Sequence, residues 1–178
     1  MAIFYWLINI KSIKKSFPFN FIALIDMDGS SEKILQKIKH YCAYQERCHS
    51  EVREKLFSFD LGRKEIEAVL AQLMEEGYLD EERFALAFAR GKFRMKHWGK
   101  EKIRFVLQQK QVSEYCIGKA LSSIDDADYC KALESVASNK LELLKNEKNI
   151  LTRKRKLRDH LLQKGYESEL IAEWLKKI

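Results

Sequence analysis

The stretch from Ile103 to Leu121 reads IRFVLQQKQVSEYCIGKAL, and its pattern of residues occurs three times in the chain. Windows that begin at Val52 and Leu157 align with it without a gap. Counted from the first residue of each window, the shared positions are offset one (Arg53, Arg104, Arg158), offset four (Leu56, Leu107, Leu161), offset nine (Leu61, Val112, Tyr166), offset fourteen (Ile66, Ile117, Ile171) and offset eighteen (Leu70, Leu121, Leu175). Offsets zero and four are neighbours on a helix, as are fourteen and eighteen, and a short break separates the two pairs. Each window therefore predicts a helix, a tight turn and a second helix.

One further helical stretch precedes each window, at residues 31–45, 80–96 and 126–144. The predicted fold class is therefore all-α, with three tandem three-helix-bundle repeats, which we place at residues 31–79, 80–124 and 125–178. A repeat of this size cannot bury its apolar faces alone, so neighbouring repeats must pack on one another. We expect the three repeats to form an elongated, curved array.

The composition of the 178 residues agrees with a helical protein. Hydrophobic residues make up 46%, which allows a packed core, and a single proline with seven glycines argues against an all-β sandwich or barrel. No apolar run reaches the roughly 18 residues of a membrane-spanning helix. The net charge of +7 favours an acidic partner such as nucleic acid, although such an excess also occurs in proteins that bind no polyanion.

The predicted junctions carry residues that end and begin helices. Gly77–Tyr78 and Gly165–Tyr166 fit a left-handed glycine followed by an apolar residue that folds back onto the helix. Asp80, Ser50 and Ser113 are candidate N-caps.

The amino-terminal segment differs in composition from the rest. Residues 2–10 and 17–25 are apolar, and three lysines lie between them. The cations follow the first apolar run, whereas in a secretory signal they precede it, and each run is too short to span a bilayer. Residues 1–30 are assigned to an N-terminal extension with three interpretations: a mis-assigned start with the true start at Met27, a docked extension, or a membrane-surface anchor.

Positive charge is concentrated in the middle of the chain. Residues 83–111 hold nine basic residues and one acidic residue, Glu101. On a helix at 100° per residue, Arg83, Arg90 and Arg94 share one line, and Lys92 and Lys96 lie opposite. This segment is the candidate binding surface, and the alternative is a solvated face. The same geometry places Phe84, Phe88 and Met95 on one apolar stripe and Leu86, Ala89 and Phe93 on another. The aromatic rings are predicted to be core and not base-stacking platforms.

The corner after this helix extends the candidate surface. His97-Trp98-Gly99 breaks the helix, and Lys100, Lys102 and Arg104 open the next one. Trp98 is interpreted as an apolar plug at the corner or as a ring that stacks on a base or fills a partner's pocket. Arg104 stands at a position that is arginine in all three windows, which also fits a shared structural role. A secondary basic patch consists of Arg153, Lys154, Arg155, Lys156 and Arg158, which cannot all face one side of a helix.

Motifs of catalysis and cofactor binding are missing from the sequence. There is no phosphate-binding loop, dinucleotide fingerprint or nucleophile elbow. His40, Cys42, Cys48 and His49 do not have the spacing of a zinc finger. We therefore expect no catalytic residues, no metal and no cofactor. The four cysteines form no C-x-x-C pair and are expected to be reduced thiols of a cytoplasmic protein.

The run from Glu65 to Leu121 resembles the RecX family of RecA regulators. The residues that carry the resemblance are Glu76-Gly77-Tyr78-Leu79-Asp80-Glu81-Glu82-Arg83-Phe84-Ala85, then Trp98-Gly99-Lys100 and Lys102-Ile103-Arg104. Weaker similarity extends from Lys33 to Leu175. One departure is Gln111, where the family often has glycine, and it puts the geometry of that turn in doubt.

The resemblance implies three tandem three-helix repeats and a regulator without catalytic activity. It implies binding to RecA filaments on single-stranded DNA, inhibition of RecA ATPase and recombinase activity, and so restraint of homologous recombination, DNA repair and the SOS response. We further expect a cytoplasmic monomer that does not associate with membranes. The alternative is a helical-repeat protein that binds nucleic acid non-specifically and independently of RecA.

Overall fold

A computed structural model of the protein describes the backbone of residues 29–178 and the side chains of residues 31–178. The expectations for the amino-terminal segment, including a start at Met27, fall outside this range. Regular structure in the described range is entirely α-helical, as predicted. Its helices are α1 (Gly29–Tyr44), α2 (His49–Phe57), α3 (Arg63–Glu75), α4 (Glu81–Lys96), α5 (Lys100–Gln109), α6 (Glu114–Ser122), α7 (Asp126–Leu143), α8 (Ile150–Lys164) and α9 (Ser168–Leu175).

Residues 38–178 form one compact unit, and the contacts described below lie within it. In the part of α1 that precedes this unit, the Gln36 amide donates a hydrogen bond to Glu32 one turn earlier, at 2.7 Å.

The three sequence windows fall on α2–α3, α5–α6 and α8–α9, and the two helices of each pair pack on each other. The repeated apolar residues at offsets zero, four and fourteen are at most 1% exposed; they are Val52, Leu56, Ile66, Ile103, Leu107, Ile117, Leu157, Leu161 and Ile171. The remaining helix of the second repeat, α4, packs along α6, and that of the third repeat, α7, packs along α8. The prediction of three-helix repeats is thus confirmed, whereas their precise limits stay a prediction.

The residue at offset eight lies in the turn between the two helices of each window, and its backbone is left-handed in every repeat. Asp60, Gln111 and Gly165 have φ angles of 57°, 61° and 88°. Only the third of these is a glycine, the residue that adopts this conformation without strain. Gln111 therefore holds the turn geometry that its departure from the family pattern had put in doubt.

Most of the predicted caps are confirmed. Gly77 is left-handed (φ 76°), and the Tyr78 amide donates back to the Leu73 carbonyl at 2.8 Å. The Asp80 carboxylate accepts from the Arg83 amide at 2.9 Å. The prediction for Ser50 was wrong: Cys48 is the N-cap of α2, and Ser50 lies inside the helix.

Buried residues of the second and third repeats belong to one continuous cluster, which Cys48 joins from the first repeat. Phe84 is buried in this cluster, and Phe88 and Phe93 pack against it, so these rings are core as predicted. Met95, which shares the helix face of Phe84 and Phe88, is 77% exposed near the end of α4 and is not part of the core. The shared core makes the second and third repeats one packing unit.

Candidate functional site

The candidate surface is built on α4 and on the corner that leads into α5. Asp80 caps the start of α4, and two glutamates in its first turn match the helix dipole. The helix ends at His97, whose φ of 50° turns the chain away, and Gly99 is the N-cap of α5. α4 and the start of α5 carry the basic residues of segment 83–111, and these residues differ in their exposure and in their partners.

Three cations of α4 are open to solvent. Arg90, Arg94 and Lys96 are exposed, and no carboxylate among residues 31–178 pairs with their side chains. Arg90 and Arg94 stand one turn apart on the same face of the helix. These cations are therefore free to contact an anionic ligand such as a phosphate backbone.

Trp98 is half-buried and packs against the core, with its ring centroid 6.5 Å from that of Phe88 in an edge-on arrangement. The Lys92 and Lys102 ammonium groups lie over the Trp98 ring at 5.4 and 4.8 Å. The plug interpretation of Trp98 thus fits its position, and its ring already interacts with two cations.

Lys100 and Lys102 belong to the junction between the second and third repeats. The Lys100 ammonium pairs with Asp126 at 2.9 Å, and the Lys102 ammonium donates to the Gln163 carbonyl at 3.0 Å. The backbones of the two repeats are also in direct contact here, because the Gly99 amide before α5 donates to the Lys164 carbonyl at the end of α8, at 2.8 Å. These two lysines have a structural role that their position in a basic run did not reveal.

Tyr129 completes this junction. Its hydroxyl accepts from the Lys100 amide at 2.8 Å and donates to the Glu167 carboxylate at 2.6 Å. Burial, together with the bond to Glu167, raises the pKa of Tyr129 well above its usual range. The phenol is therefore a neutral connector between α5, α7 and the turn before α9.

Arg83 and Arg104 also have partners. The Arg83 guanidinium pairs with Glu46 at 2.7 Å and donates to the Gly77 carbonyl at 3.0 Å, which links the first and second repeats. Arg104 lies 3.7 Å from Glu114. Its counterparts pair differently, Arg53 with Glu67 and Arg158 with Asp159, so the recurring arginine has no common partner.

The secondary patch on α8 is divided in the same way. Lys156 pairs with Glu147 at 2.7 Å, and Lys154 donates to the Leu175 carbonyl at 3.1 Å. Arg153 is half-buried. Of the five, only Arg155 is both exposed and without a carboxylate partner in residues 31–178. The patch thus offers fewer open cations than its sequence indicates.

Neither metal-binding nor membrane-spanning features were found in the described part of the chain. In residues 31–178 no three His, Cys, Asp or Glu side chains converge on a common point. None of the helices of that range has the length and apolarity to cross a bilayer.

Sequence reasoning predicted the left-handed turn at Gly165 but missed the contact of Gly165 with the start of α5 and the roles of Gly99 and Tyr129. Gly99 stood in the recognised Trp-Gly-Lys run, but a contact with residues more than sixty positions away has no local pattern. The only available signal was a glycine at a helix start, where serine, threonine or aspartate are at least as common.

Comparison with known proteins gives a consistent result. The family model described as the second three-helix domain of RecX matches residues 80–121, and that of the third matches residues 127–175. A regulatory protein RecX from Prosthecochloris aestuarii is 31% identical over 151 residues, which are 85% of this chain and 97% of that protein. One from Clostridium acetobutylicum is 33% identical over 135 residues, which are 74% of this chain and 62% of that protein.

A crystal structure of a regulatory protein RecX resembles the fold. It superposes with a TM-score of 0.77 at 23% identity and covers 92% of this chain and 81% of the other.

Proposed function

Since the chain belongs to the RecX family of regulatory proteins, we propose that it binds RecA filaments on single-stranded DNA and inhibits their recombinase and ATPase activity. The protein acts by binding and not by catalysis, as a cytoplasmic monomer. In this way it restrains recombination, DNA repair and the SOS response. Three rigid helical repeats suit a ligand that is itself a repeating filament.

The observation that carries the proposal is the pair of open arginines on α4. Arg90 and Arg94 are exposed on one helix face and have no carboxylate partner in the described range. Guanidinium groups bind phosphate oxygens with good geometry, and each such contact releases counterions from the nucleic acid. The two arginines are therefore proposed to contact the DNA of the filament.

The alternative, nucleic-acid binding without RecA, is favoured by the same two side chains. The two functions differ in stoichiometry. A RecA regulator inhibits strand exchange at amounts well below those that coat the DNA, whereas a non-specific binder needs to cover it. Titration of the protein into a strand-exchange reaction separates them.

The test of the DNA contact is the double variant Arg90→Gln/Arg94→Gln. Lys100 and Lys102 are left unchanged because they hold the repeat junction. Inhibition of RecA is expected to fall about tenfold, which corresponds to ~1.4 kcal/mol. The log–log salt slope of binding to single-stranded DNA should flatten by about 0.7 for each lost contact.

The matched control is Arg63→Gln/Lys148→Gln, which removes the same charge from exposed side chains elsewhere. It should leave both inhibition and salt slope close to those of the wild type. Equal effects of the two double variants would show that only net charge matters and would refute a contact at Arg90 and Arg94.

A further inference from the structure

A groove of about 510 Å³ runs along α4, on the side that faces the first repeat. Its floor is apolar and includes Phe84, Phe88 and Trp98, and Met95 lies at its outer edge. Ala87 and Gly91 also line it, one turn apart, and a Cβ added at Gly91 would meet no atom within 4 Å. The two small residues therefore leave a trough into which another chain can approach closely.

Around this trough the negative charges are paired, whereas a positive charge has no acidic partner in residues 31–178. The acidic residues on the opposite wall are neutralised, Glu46 by Arg83 and Glu51 by Lys110. Lys96 on the rim is exposed and has no acidic partner in residues 31–178. On the other side of the Ala87–Gly91 row, helix geometry places Arg90 and Arg94. Since those two arginines are assigned to the DNA, Lys96 is a cation left open to the occupant of the groove, and an occupant with negative charge on that flank is favoured.

We propose that this groove binds an acidic amphipathic helix of a RecA subunit, so that α4 contacts DNA with its arginines and protein with its groove. The inference rests on the proposed function, because it names the part of the filament that the trough receives. A row of small residues at i and i+4 accepts the side-chain ridge of a second helix. A nucleobase fits less well, since the Trp98 ring that it would stack on already interacts with Lys92 and Lys102.

The first test is Gly91→Leu, which places a bulky side chain in the trough. The matched control is Gly118→Leu on α6, another helical glycine whose added Cβ would meet nothing within 4 Å. Both changes replace a helix-interior glycine by a better helix former, so neither should lower the melting temperature. Gly91→Leu should weaken inhibition of RecA strand exchange at least about tenfold, whereas Gly118→Leu should not change it.

Binding of labelled single-stranded DNA without RecA separates the two classes of occupant. The proposal expects Gly91→Leu to bind this DNA as the wild type does. A loss of DNA binding would mean that nucleic acid occupies the groove and would overturn the proposal.

A second pair of variants tests the sign of the charge and does not depend on Gly91. Met95 is 77% exposed, so its replacement should leave the fold intact. Met95→Glu should weaken inhibition at least about tenfold and Met95→Lys by less than about threefold, because only the first repels an acidic helix. Equal effects would contradict an acidic partner. If wild-type protein inhibits RecA and neither Gly91→Leu nor Met95→Glu alters this inhibition, only the groove proposal fails. If wild-type protein does not inhibit RecA, the proposed function fails as well.

Discussion

The second repeat is joined to its two neighbours by different kinds of contact. Towards the third repeat, the start of α5 meets the end of α8 backbone to backbone: the Gly99 amide donates to the Lys164 carbonyl and the Glu101 amide to the Gly165 carbonyl at 3.1 Å. Towards the first repeat, the contacts are made by side chains, such as the Ser50 hydroxyl that donates to the Lys110 carbonyl at 2.8 Å.

The difference shows two ways of connecting small helical units. In the first, free amides of one helix start bond to free carbonyls of another helix end, which satisfies groups that every helix leaves open. This contact needs residues without a Cβ at Gly99 and Gly165. In the second, ion pairs such as Arg83–Glu46 and Lys110–Glu51 connect the repeats, and these tolerate small displacements but are screened by salt.

The largest effect is expected for Gly99→Ala. An added Cβ would lie 2.0 Å from the Gly165 carbonyl oxygen, so the junction must open and its backbone hydrogen bonds must lengthen. We expect a loss of about 3 kcal/mol or more in the free energy of unfolding, measured with urea and circular dichroism. Gly118→Ala, with open space around it, should instead gain up to about 1 kcal/mol. Similar values for the two variants would refute the backbone contact.

The next effect concerns two buried tyrosines of the third repeat. Tyr129→Phe removes both hydrogen bonds of the phenol and should cost about 1–3 kcal/mol. The Tyr166 hydroxyl is buried without a partner in the described range, so Tyr166→Phe should be neutral or stabilising by up to about 1 kcal/mol. Urea unfolding of both variants checks this order, and a reversed order would show that Tyr129 does not connect the repeats.

The same two tyrosines should make the stability of the protein sensitive to alkaline pH. Burial raises the pKa of Tyr166 to about 12 from an ordinary value of 10.0, and that of Tyr129 also rises. A folded-state pKa above the unfolded one means that stability is fully present below pH ~10 and is lost as the pH rises towards 12. The free energy of unfolding should fall over this range, and less so in Tyr166→Phe. An unchanged pH profile in that variant would contradict the assignment.

A smaller effect is expected at the junction with the first repeat. Glu46→Gln/Glu51→Gln removes both acidic partners and should cost about 0–2 kcal/mol at low salt, since each exposed or half-buried pair contributes little. Its cost should shrink at high salt, whereas that of Gly99→Ala should not. Unfolding at low and high sodium chloride distinguishes the two junctions, and equal salt dependence would remove the contrast between them.

The smallest effect compares the turns inside the repeats. Gln111 is left-handed where the third repeat has Gly165, so Gln111→Gly should stabilise the protein by about 1 kcal/mol. Asp60→Gly should gain less, because aspartate tolerates this conformation better. Thermal melting of both variants measures the difference, and destabilisation by Gln111→Gly would mean that its side chain has a role in the turn.

Local patterns predicted most of the helices and several of their ends. The residues repeated at offsets zero, four and fourteen are buried as expected, and Gly77, Asp80 and Ser113 act as caps. Ser50 failed as a cap because its hydroxyl bonds to Lys110, sixty residues away, which no local rule anticipates. The candidate site was predicted as a run of cations, but the run itself does not show which of them are paired.

The amino-acid sequence by itself determined the helical class, the threefold repeat and the concentration of positive charge, because all three depend on periodicity and residue type along the chain. The tertiary structure decided which cations are open: Arg83, Lys100 and Lys102 have partners on other repeats, whereas Arg90 and Arg94 have no carboxylate partner in residues 31–178. It also decided the contact of Gly99 with Gly165 and the groove beside Gly91. These depend on distances between segments remote in sequence, and such distances are set only when the repeats pack.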